Sequence, residues 1–240
     1  MARTYTSTHT EKIARTPGTA SFRFIRPAGY TYAAGQWFVL TIPGPTGPLS
    51  KHFTHSSAPT EPHLEFTTRL TGSPYKTAME QLPLGTEVEI EGPFGSFVLP
   101  EDRTRTAFLA GGIGVTPVRS ILRDLADRQA AGQPLPDRDL AVFYGNQSPH
   151  TIVFADEFEA FARALPRLKV VHVLSEPGDD WAGWRGYLRG EILEAELADP
   201  ASWRYAVSGP PAMVEAMRSL LRERNIPRRQ LVFESFEGYQ

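Results

Sequence analysis

The sequence predicts an antiparallel β-barrel followed by an α/β domain built on a parallel sheet. Residues 1–100 carry short alternating apolar runs separated by proline and glycine turns, whereas residues 104–240 alternate apolar strands with helical patterns. The length of 240 residues suits two domains of roughly 100–140 residues each. Proline and charged residues interrupt the pattern at Leu99–Arg105, so we expect domains at residues 1–101 and 102–240.

The first half contains many short strand patterns. Turn residues such as Pro27-Ala28-Gly29 and Gly92-Pro93 separate them, and this spacing is typical of antiparallel barrels and sandwiches. The predicted strands are Thr19–Ile25, Trp37–Ile42, Leu64–Leu70 and Glu87–Glu91.

The second half repeats strand–helix units, which predicts a parallel sheet with helices on both faces. The predicted strands are Thr106–Ala110, Leu140–Tyr144, Lys169–Leu174, Tyr205–Ser208 and Gln230–Phe233. The predicted helices are Pro117–Gln129, Asp156–Ala164 and Ala212–Glu223.

Composition excludes several classes of function. The net charge of −2 does not favour a nucleic-acid binder. The chain has no cysteine, which excludes disulfides, thiolate zinc sites and a cysteine-ligated iron–sulfur cluster within it, and we predict no metal site. The polar N-terminus does not resemble a secretory signal, and no apolar run reaches the length of a membrane span. We therefore expect a cytoplasmic protein.

A glycine-rich segment between a strand and a helix is the strongest single motif. It reads Gly111-Gly112-Ile113-Gly114-Val115-Thr116-Pro117. Glycines allow a sharp turn and close backbone approach, and the free N–H groups at a helix start suit a pyrophosphate. The glycine spacing differs from the usual dinucleotide fingerprint, so a turn without a ligand is the alternative for this loop taken alone.

Six motifs in order resemble the ferredoxin–NADP reductase superfamily over nearly the whole chain. They begin at Gly35-Gln36-Trp37-Phe38, Lys51-His52-Phe53-Thr54, Thr68-Arg69-Leu70, Gly92-Pro93-Phe94-Gly95, Gly111-Gly112 and Val207-Ser208-Gly209-Pro210. The resemblance implies an enzyme that binds FAD on the barrel and NADH or NADPH on the α/β domain. It gives Lys51 to the FAD pyrophosphate, Phe53 to the flavin ring and Thr54 to the reactive ring nitrogen.

The resemblance also implies the remaining site residues. Thr54 and Ser208 are the expected catalytic residues, Ser208 standing where the family has cysteine. The other expected cofactor-binding residues are His52, Thr68, Lys76, Thr77, Ala78, Gly111, Gly112, Gly114, Thr116, Pro117, Gly209, Pro210 and Tyr239. Thr77 fits either a phosphate-binding helix start or a plain helix cap. Tyr239 or Phe236 would cover the flavin, and a C-terminal strand with surface aromatics is the alternative.

The nucleotide and the acceptor are less closely defined. Glu176, after a predicted strand, would repel the 2′-phosphate of NADPH, so we expect a preference for NADH, although Arg185 could still reach the cofactor. The expected acceptor is a separate ferredoxin-like protein or an oxygenase component. The alternatives are a reductase of free flavin, ferric chelates or quinones, and a non-catalytic nucleotide-binding or partner-binding module.

Overall fold

The computed structural model describes residues 3–101 and 104–236. Within the first of these ranges, six antiparallel strands form one sheet in the order β4-β3-β6-β1-β2-β5. The strands are Arg3–Thr16 (β1), Thr19–Ile25 (β2), Trp37–Ile42 (β3), Leu49–Thr54 (β4), His63–Arg69 (β5) and Glu87–Phe94 (β6). One helix, Pro74–Gln81 (α1), lies between β5 and β6 in this range.

The edge strands β4 and β5 approach each other, so the sheet closes into a barrel. His55, just after β4, forms a bridge with Phe66 of β5, and Ser56 N donates to Glu65 O over 2.8 Å. Alternate residues of the strands face inward and form an aromatic-rich core that includes Phe22, Phe38 and Phe66. The predicted barrel is therefore present.

His55 belongs to this core. The His55 side chain is fully buried. Its Nδ1 donates to Gln36 O over 2.7 Å, which leaves Nε2 to accept from the Tyr30 hydroxyl at 3.1 Å. Burial lowers the pKa of His55 to about 3, so the ring is neutral and structural.

The second half forms a parallel sheet between helices. Its described strands are Arg105–Gly111 (β7), Asp139–Asn146 (β8), Leu168–Leu174 (β9), Trp184–Arg185 (β10), Arg204–Gly209 (β11) and Leu231–Ser235 (β12). Its described α-helices are Thr116–Ala130 (α2), Ala155–Ala164 (α3), Gly190–Glu196 (α4) and Pro211–Glu223 (α5). Separate apolar clusters cover the two faces of the sheet.

The strand order β10-β9-β8-β7-β11-β12 creates a switch point beside β7. The chain adds β8, β9 and β10 on one side of β7 and then returns to place β11 and β12 on the other. Ligands of open α/β sheets bind at the carboxyl ends of strands at such a point. The glycine segment after β7 and the turn after β11 both lie there.

Candidate functional site

A cleft of about 280 Å³ lies between the barrel and the α/β domain. β4 and β5 bring side chains to it from the barrel, and the segment after β7 and the end of β12 line the opposite side. Six of the predicted cofactor-binding residues line it from the barrel: Lys51, His52, Phe53, Thr54, Thr68 and Lys76. Thr116, Glu234 and Phe236 line it from the α/β domain. Residues that are far apart in the sequence therefore line one cleft.

Phe53 and Trp37 give this cleft aromatic walls. The Phe53 ring packs on Phe66, with ring centroids 4.0 Å apart, so the core fixes its orientation. Trp37 stacks on Phe94 at a centroid distance of 4.6 Å. Flat apolar surfaces held in this way suit a planar aromatic ligand.

A cationic group occupies another part of the same cleft. Lys76 is buried, and burial lowers its pKa to about 8, with repulsion from Lys51 and Arg69 adding to the shift. A buried ammonium beside two other cations is stabilised by an anion. This arrangement fits a pyrophosphate.

Helix α1 places Lys76 but does not use Thr77 as its cap. The cap is Ser73, whose Oγ accepts a hydrogen bond from Lys76 N at 3.4 Å. Thr77 is exposed and lies one turn inside the helix. The cap interpretation of Thr77 is therefore wrong, because Pro74 starts the helix three residues earlier.

Thr54 pairs with a carboxyl group that the sequence did not reveal. Thr54 Oγ1 donates to Glu234 Oε1 over 2.5 Å, across 180 residues of sequence. Burial raises the pKa of Glu234 to about 7, and the hydrogen bond from Thr54 only partly opposes this. A hydroxyl and a carboxyl that titrates near neutrality thus share one hydrogen bond in the cleft.

A second cleft, of about 420 Å³, lies at the switch point. Gly111, Gly112 and Pro210 line it, as predicted for a nucleotide, and so does Met213. Gly112 has a φ of +51°, which favours glycine, and Gly111 packs against the flexible Met213 side chain, which would have to shift to accept a Cβ there. Gly112 is half-buried and lines the cleft, so its backbone can face a ligand, whereas Gly111 is buried against Met213.

Ser208 does not reach this cleft. It is fully buried, and its Oγ donates to Gly114 O over 2.6 Å. Gly114 packs so closely that a Cβ there would lie 2.6 Å from the Gly209 backbone. Both residues join the end of β11 to the glycine segment, which shapes the cleft without lining it.

Polar groups at the far end of the second cleft lie at the end of β8 and in the turns that follow β8 and β9. Gln147 Nε2 donates to Glu176 Oε2 over 2.9 Å. Asn146 is half-buried, and among the described residues neither of its solvent-shielded amide atoms has a hydrogen-bond partner. Orphaned amide atoms in a cleft fit a polar ligand such as a nucleotide.

Arg185 hydrogen-bonds to the backbone of its own loop. Its Nη2 donates to the carbonyls of Gly178, Asp179 and Trp181, so it closes the loop before β10 rather than entering the nucleotide cleft. The prediction that it could reach the cofactor gains no support from these contacts.

The two clefts adjoin at Ile113, which lines both. Thr116 and Pro117 begin α2 directly behind it, and both are buried. Planar ligands held in the two clefts would therefore approach each other beside Thr54. The residues present fit FAD in the first cleft and a nicotinamide nucleotide in the second.

Not all of the predicted site residues line the two clefts, whereas some residues that were not predicted do. Ala78 lies in α1, half-buried against the barrel core, and Tyr239 lies outside the described residues. Glu234 and Trp37 line the first cleft but were not predicted as site residues. The only sequence signal for Glu234 was an acidic residue inside an otherwise apolar last strand.

This fold and these clefts define an NAD(P)H-dependent flavin oxidoreductase. Residues 108–219 match the family model described as the oxidoreductase NAD-binding domain. The chain is 32% identical over 227 residues to ferredoxin–NADP reductase B of Sorangium cellulosum, covering 90% of each protein. The chain belongs to the ferredoxin–NADP reductase family, whose cofactors are FAD and NAD(P)H.

A further relative agrees with this membership, and a solved structure agrees with the fold. The chain is 28% identical over 226 residues to the glycine betaine monooxygenase reductase subunit of Chromohalobacter salexigens, covering 91% of the chain but only 60% of that relative. It shares its fold with a ferredoxin–NADP⁺ reductase from Neisseria gonorrhoeae solved with FAD and NADP, at a TM-score of 0.82 and 21% identity, covering 98% of the chain and 99% of that structure. In residues 3–101 and 104–236, no helix is long and apolar enough to cross a membrane.

Proposed function

We propose that the chain takes a hydride from NADH onto FAD and passes the electrons to a separate acceptor protein. The main support for this proposal is that the two clefts adjoin at Ile113, with Thr54 in the first cleft and the glycine segment in the second. FAD supplies the redox chemistry when bound, and the protein supplies position and electrostatics. The division into a FAD domain at residues 1–101 and a nucleotide domain at 102–240 is part of this proposal.

Thr54 and Glu234 are the proposed proton-handling pair. When Glu234 is protonated, it donates to Thr54 Oγ1, and the Thr54 hydroxyl is free to donate to the reactive ring nitrogen. When Glu234 is ionised, the Thr54 proton points to the carboxylate, as in the geometry described here. The protonation state of Glu234 therefore sets whether the Thr54 hydroxyl donates to the flavin or to the carboxylate, and that protonation changes near pH 7.

The other roles follow from the lining of each cleft. Phe53, Lys51 and Lys76 line the first cleft, where Phe53 would lie against the ring system and the two lysines would neutralise the FAD pyrophosphate. Gly111, Gly112 and Pro210 present backbone and ring surface to the nicotinamide nucleotide. Ser208, Gly114 and Gly209 support that loop from behind.

The nucleotide preference is proposed from Glu176. Its carboxylate accepts from Gln147 at the edge of the nucleotide cleft, where it can accept from a ribose hydroxyl. A 2′-phosphate at the same place would meet like charge. This favours NADH over NADPH.

The acceptor is proposed from the relatives. Their names include a ferredoxin–NADP reductase and a monooxygenase reductase subunit, which favours a ferredoxin or an oxygenase component as partner. Reduction of free flavin, ferric chelates or quinones is the alternative activity. Rapid NADH-dependent turnover with free FMN or ferric citrate alone, unchanged by an added ferredoxin, would favour that alternative.

A stopped-flow comparison tests the role of Thr54. Anaerobic reduction of the FAD-loaded protein by NADH is followed by flavin absorbance in the wild type, Thr54→Ala and Thr41→Ala. Thr41 lies on β3, where its hydroxyl pairs with that of exposed Ser50, so it is a matched control. We expect Thr54→Ala to slow reduction roughly 10- to 100-fold and Thr41→Ala to leave it unchanged. Equal rates in all three proteins would remove Thr54 from the mechanism.

A further inference from the structure

A buried polar contact joins α2 to the segment that follows the flavin-binding strand β4. Arg119 of α2 is 1% exposed, and its Nη1 donates to Ser56 O over 2.8 Å. Its guanidinium also binds both carboxylate oxygens of Glu61, which lies in the loop after that segment. These contacts cross from the α/β domain to the barrel.

Ser120, the next residue of α2, makes a second crossing. Its Oγ donates to Ser57 O over 2.6 Å and accepts from Gly35 N at 3.4 Å. Ser120 is fully buried, and both of its partners belong to the barrel. Gly35 lies so close to α2 that an added Cβ would approach Ile121 Cδ1 to 3.2 Å. Helix α2 is therefore in direct contact with the barrel.

The residues that join α2 to the barrel lie close in sequence to Thr54 and Thr116. Ser56 and Ser57 follow Thr54 by two and three residues, and Arg119 and Ser120 follow Thr116 by three and four. Thr54 and Thr116 both line the flavin cleft. A movement of α2 along the barrel would consequently move Thr116 and the glycine segment relative to Thr54.

The charge of Arg119 is fully compensated. On the α/β side, its Nη2 donates to Glu157 Oε2 over 2.7 Å. Burial acts against the charged form, but the hydrogen bond and charge of Glu61, aided by Glu157 and Glu65, hold the pKa of Arg119 above its usual value. A planar guanidinium that serves two carboxylates and a carbonyl fixes orientation as well as distance, which a lysine cannot do.

We propose that Arg119 and Ser120 are positioning residues that hold the nucleotide-binding helix against the flavin-binding strand at the separation that hydride transfer requires. The inference rests on the proposed hydride transfer. It predicts that loosening this contact slows the transfer step while leaving each cofactor site intact, because each cleft is built from other residues. A misplacement of about 1 Å can cost roughly 100-fold in rate.

The test compares Ser120→Ala, Arg119→Lys and Arg119→Met with Arg123→Met. Arg123 is the matched control, because it approaches Glu61 at 3.7 Å and Glu157 at 3.4 Å from the same helix but is one-third exposed. For each FAD-loaded protein, anaerobic stopped flow at increasing NADH gives the limiting reduction rate and the NADH dissociation constant separately. Melting temperature and FAD occupancy are measured in parallel.

We expect the limiting rate to fall about 3- to 10-fold in Ser120→Ala and roughly 10- to 100-fold in Arg119→Met, with NADH affinity within twofold of the wild type. Arg119→Lys should recover part of the loss, and Arg123→Met should reduce flavin at the wild-type rate. If Arg119→Met does not fold, Ser120→Ala carries the test, since it removes a single hydroxyl.

FAD-loaded Ser120→Ala and Arg119→Lys proteins that melt at lower temperature but reduce flavin at the wild-type rate would overturn the inference and leave the contact purely structural. So would a change confined to NADH affinity. A wild-type protein that binds FAD but is not reduced by either nucleotide would contradict the proposed function instead, and the two failures are thus distinguishable.

Discussion

The affinity for FAD should depend on pH through Lys76. Burial and the charges of Lys51 and Arg69 hold the pKa of this ammonium at about 8, well below its ordinary 10.5. A bound pyrophosphate offers two negative charges and should return the pKa of Lys76 to its ordinary value or above. Below pH 8 the lysine is charged in both forms, whereas above pH 8 binding must take up a proton.

The magnitude follows from this proton uptake. The dissociation constant for FAD should be flat below about pH 7.5 and should then approach a tenfold rise per pH unit. At pH 9.5, which is 1.5 units above the pKa of about 8, the expected weakening is roughly 30-fold. The variant Lys76→Gln should bind FAD roughly tenfold more weakly at pH 7, because it loses a charge-assisted hydrogen bond, and should lose most of the pH dependence.

The assay is a titration of FAD-depleted protein by flavin fluorescence between pH 6.5 and 9.5. Lys12→Gln is the control, because Lys12 pairs with Glu80 on the outer surface of the barrel at 3.1 Å. That variant should follow the wild-type curve. A wild-type dissociation constant that is the same at pH 7 and pH 9.5, or a Lys76→Gln curve with the full wild-type slope, would refute the reasoning.

Three other predictions concern single groups. The pKa of Glu234 is raised from 4.5 to about 7, so between these pH values the folded protein binds more protons than the unfolded chain, and stability present below pH 4.5 should fall by about 3 kcal/mol as the pH rises through 7. Urea unfolding of FAD-depleted protein at pH 5 and pH 8 should show about 2.5 kcal/mol of this loss in the wild type and not in Glu234→Gln. Replacing Glu176 by Gln should improve NADPH relative to NADH roughly tenfold in kcat/KM, and an unchanged ratio would exclude Glu176 from the nucleotide preference. Ser208→Ala should cost about 1 kcal/mol in unfolding free energy through the unpaired Gly114 carbonyl, with the flavin reduction rate within threefold of the wild type; a much larger loss of rate would instead place Ser208 in the chemistry.

Local sequence patterns predicted most of the strands and helices. The strands Thr19–Ile25 and Trp37–Ile42 begin and end where their alternation predicted, because Pro27 and Pro43 stop each run. The first strand, Arg3–Thr16, was not predicted, since threonines and charged residues cover much of its length and give no apolar signal. The short helix Gly190–Glu196 was missed for a similar reason, as seven residues are too few for a clear helical period.

The candidate site was only partly predictable. Motifs predicted Lys51, Phe53, Thr54 and the glycine segment as site residues, because each motif is continuous in sequence, and these residues line the two clefts. The pair of Thr54 with Glu234 depends on the last strand reaching the barrel, and no local pattern encodes a contact across 180 residues. The Arg119 contacts were missed because a helical arginine is usually exposed, and only the packed interface shows that this one is buried.

The visible spectrum of the purified protein, recorded anaerobically before and after one equivalent of NADH, tests the central claim most directly. If two planar cofactors meet beside Thr54, the protein should show flavin absorbance bands that bleach within seconds of mixing, with slower bleaching by NADPH. A protein that holds FAD but keeps its oxidised spectrum in excess NADH and NADPH would contradict the account.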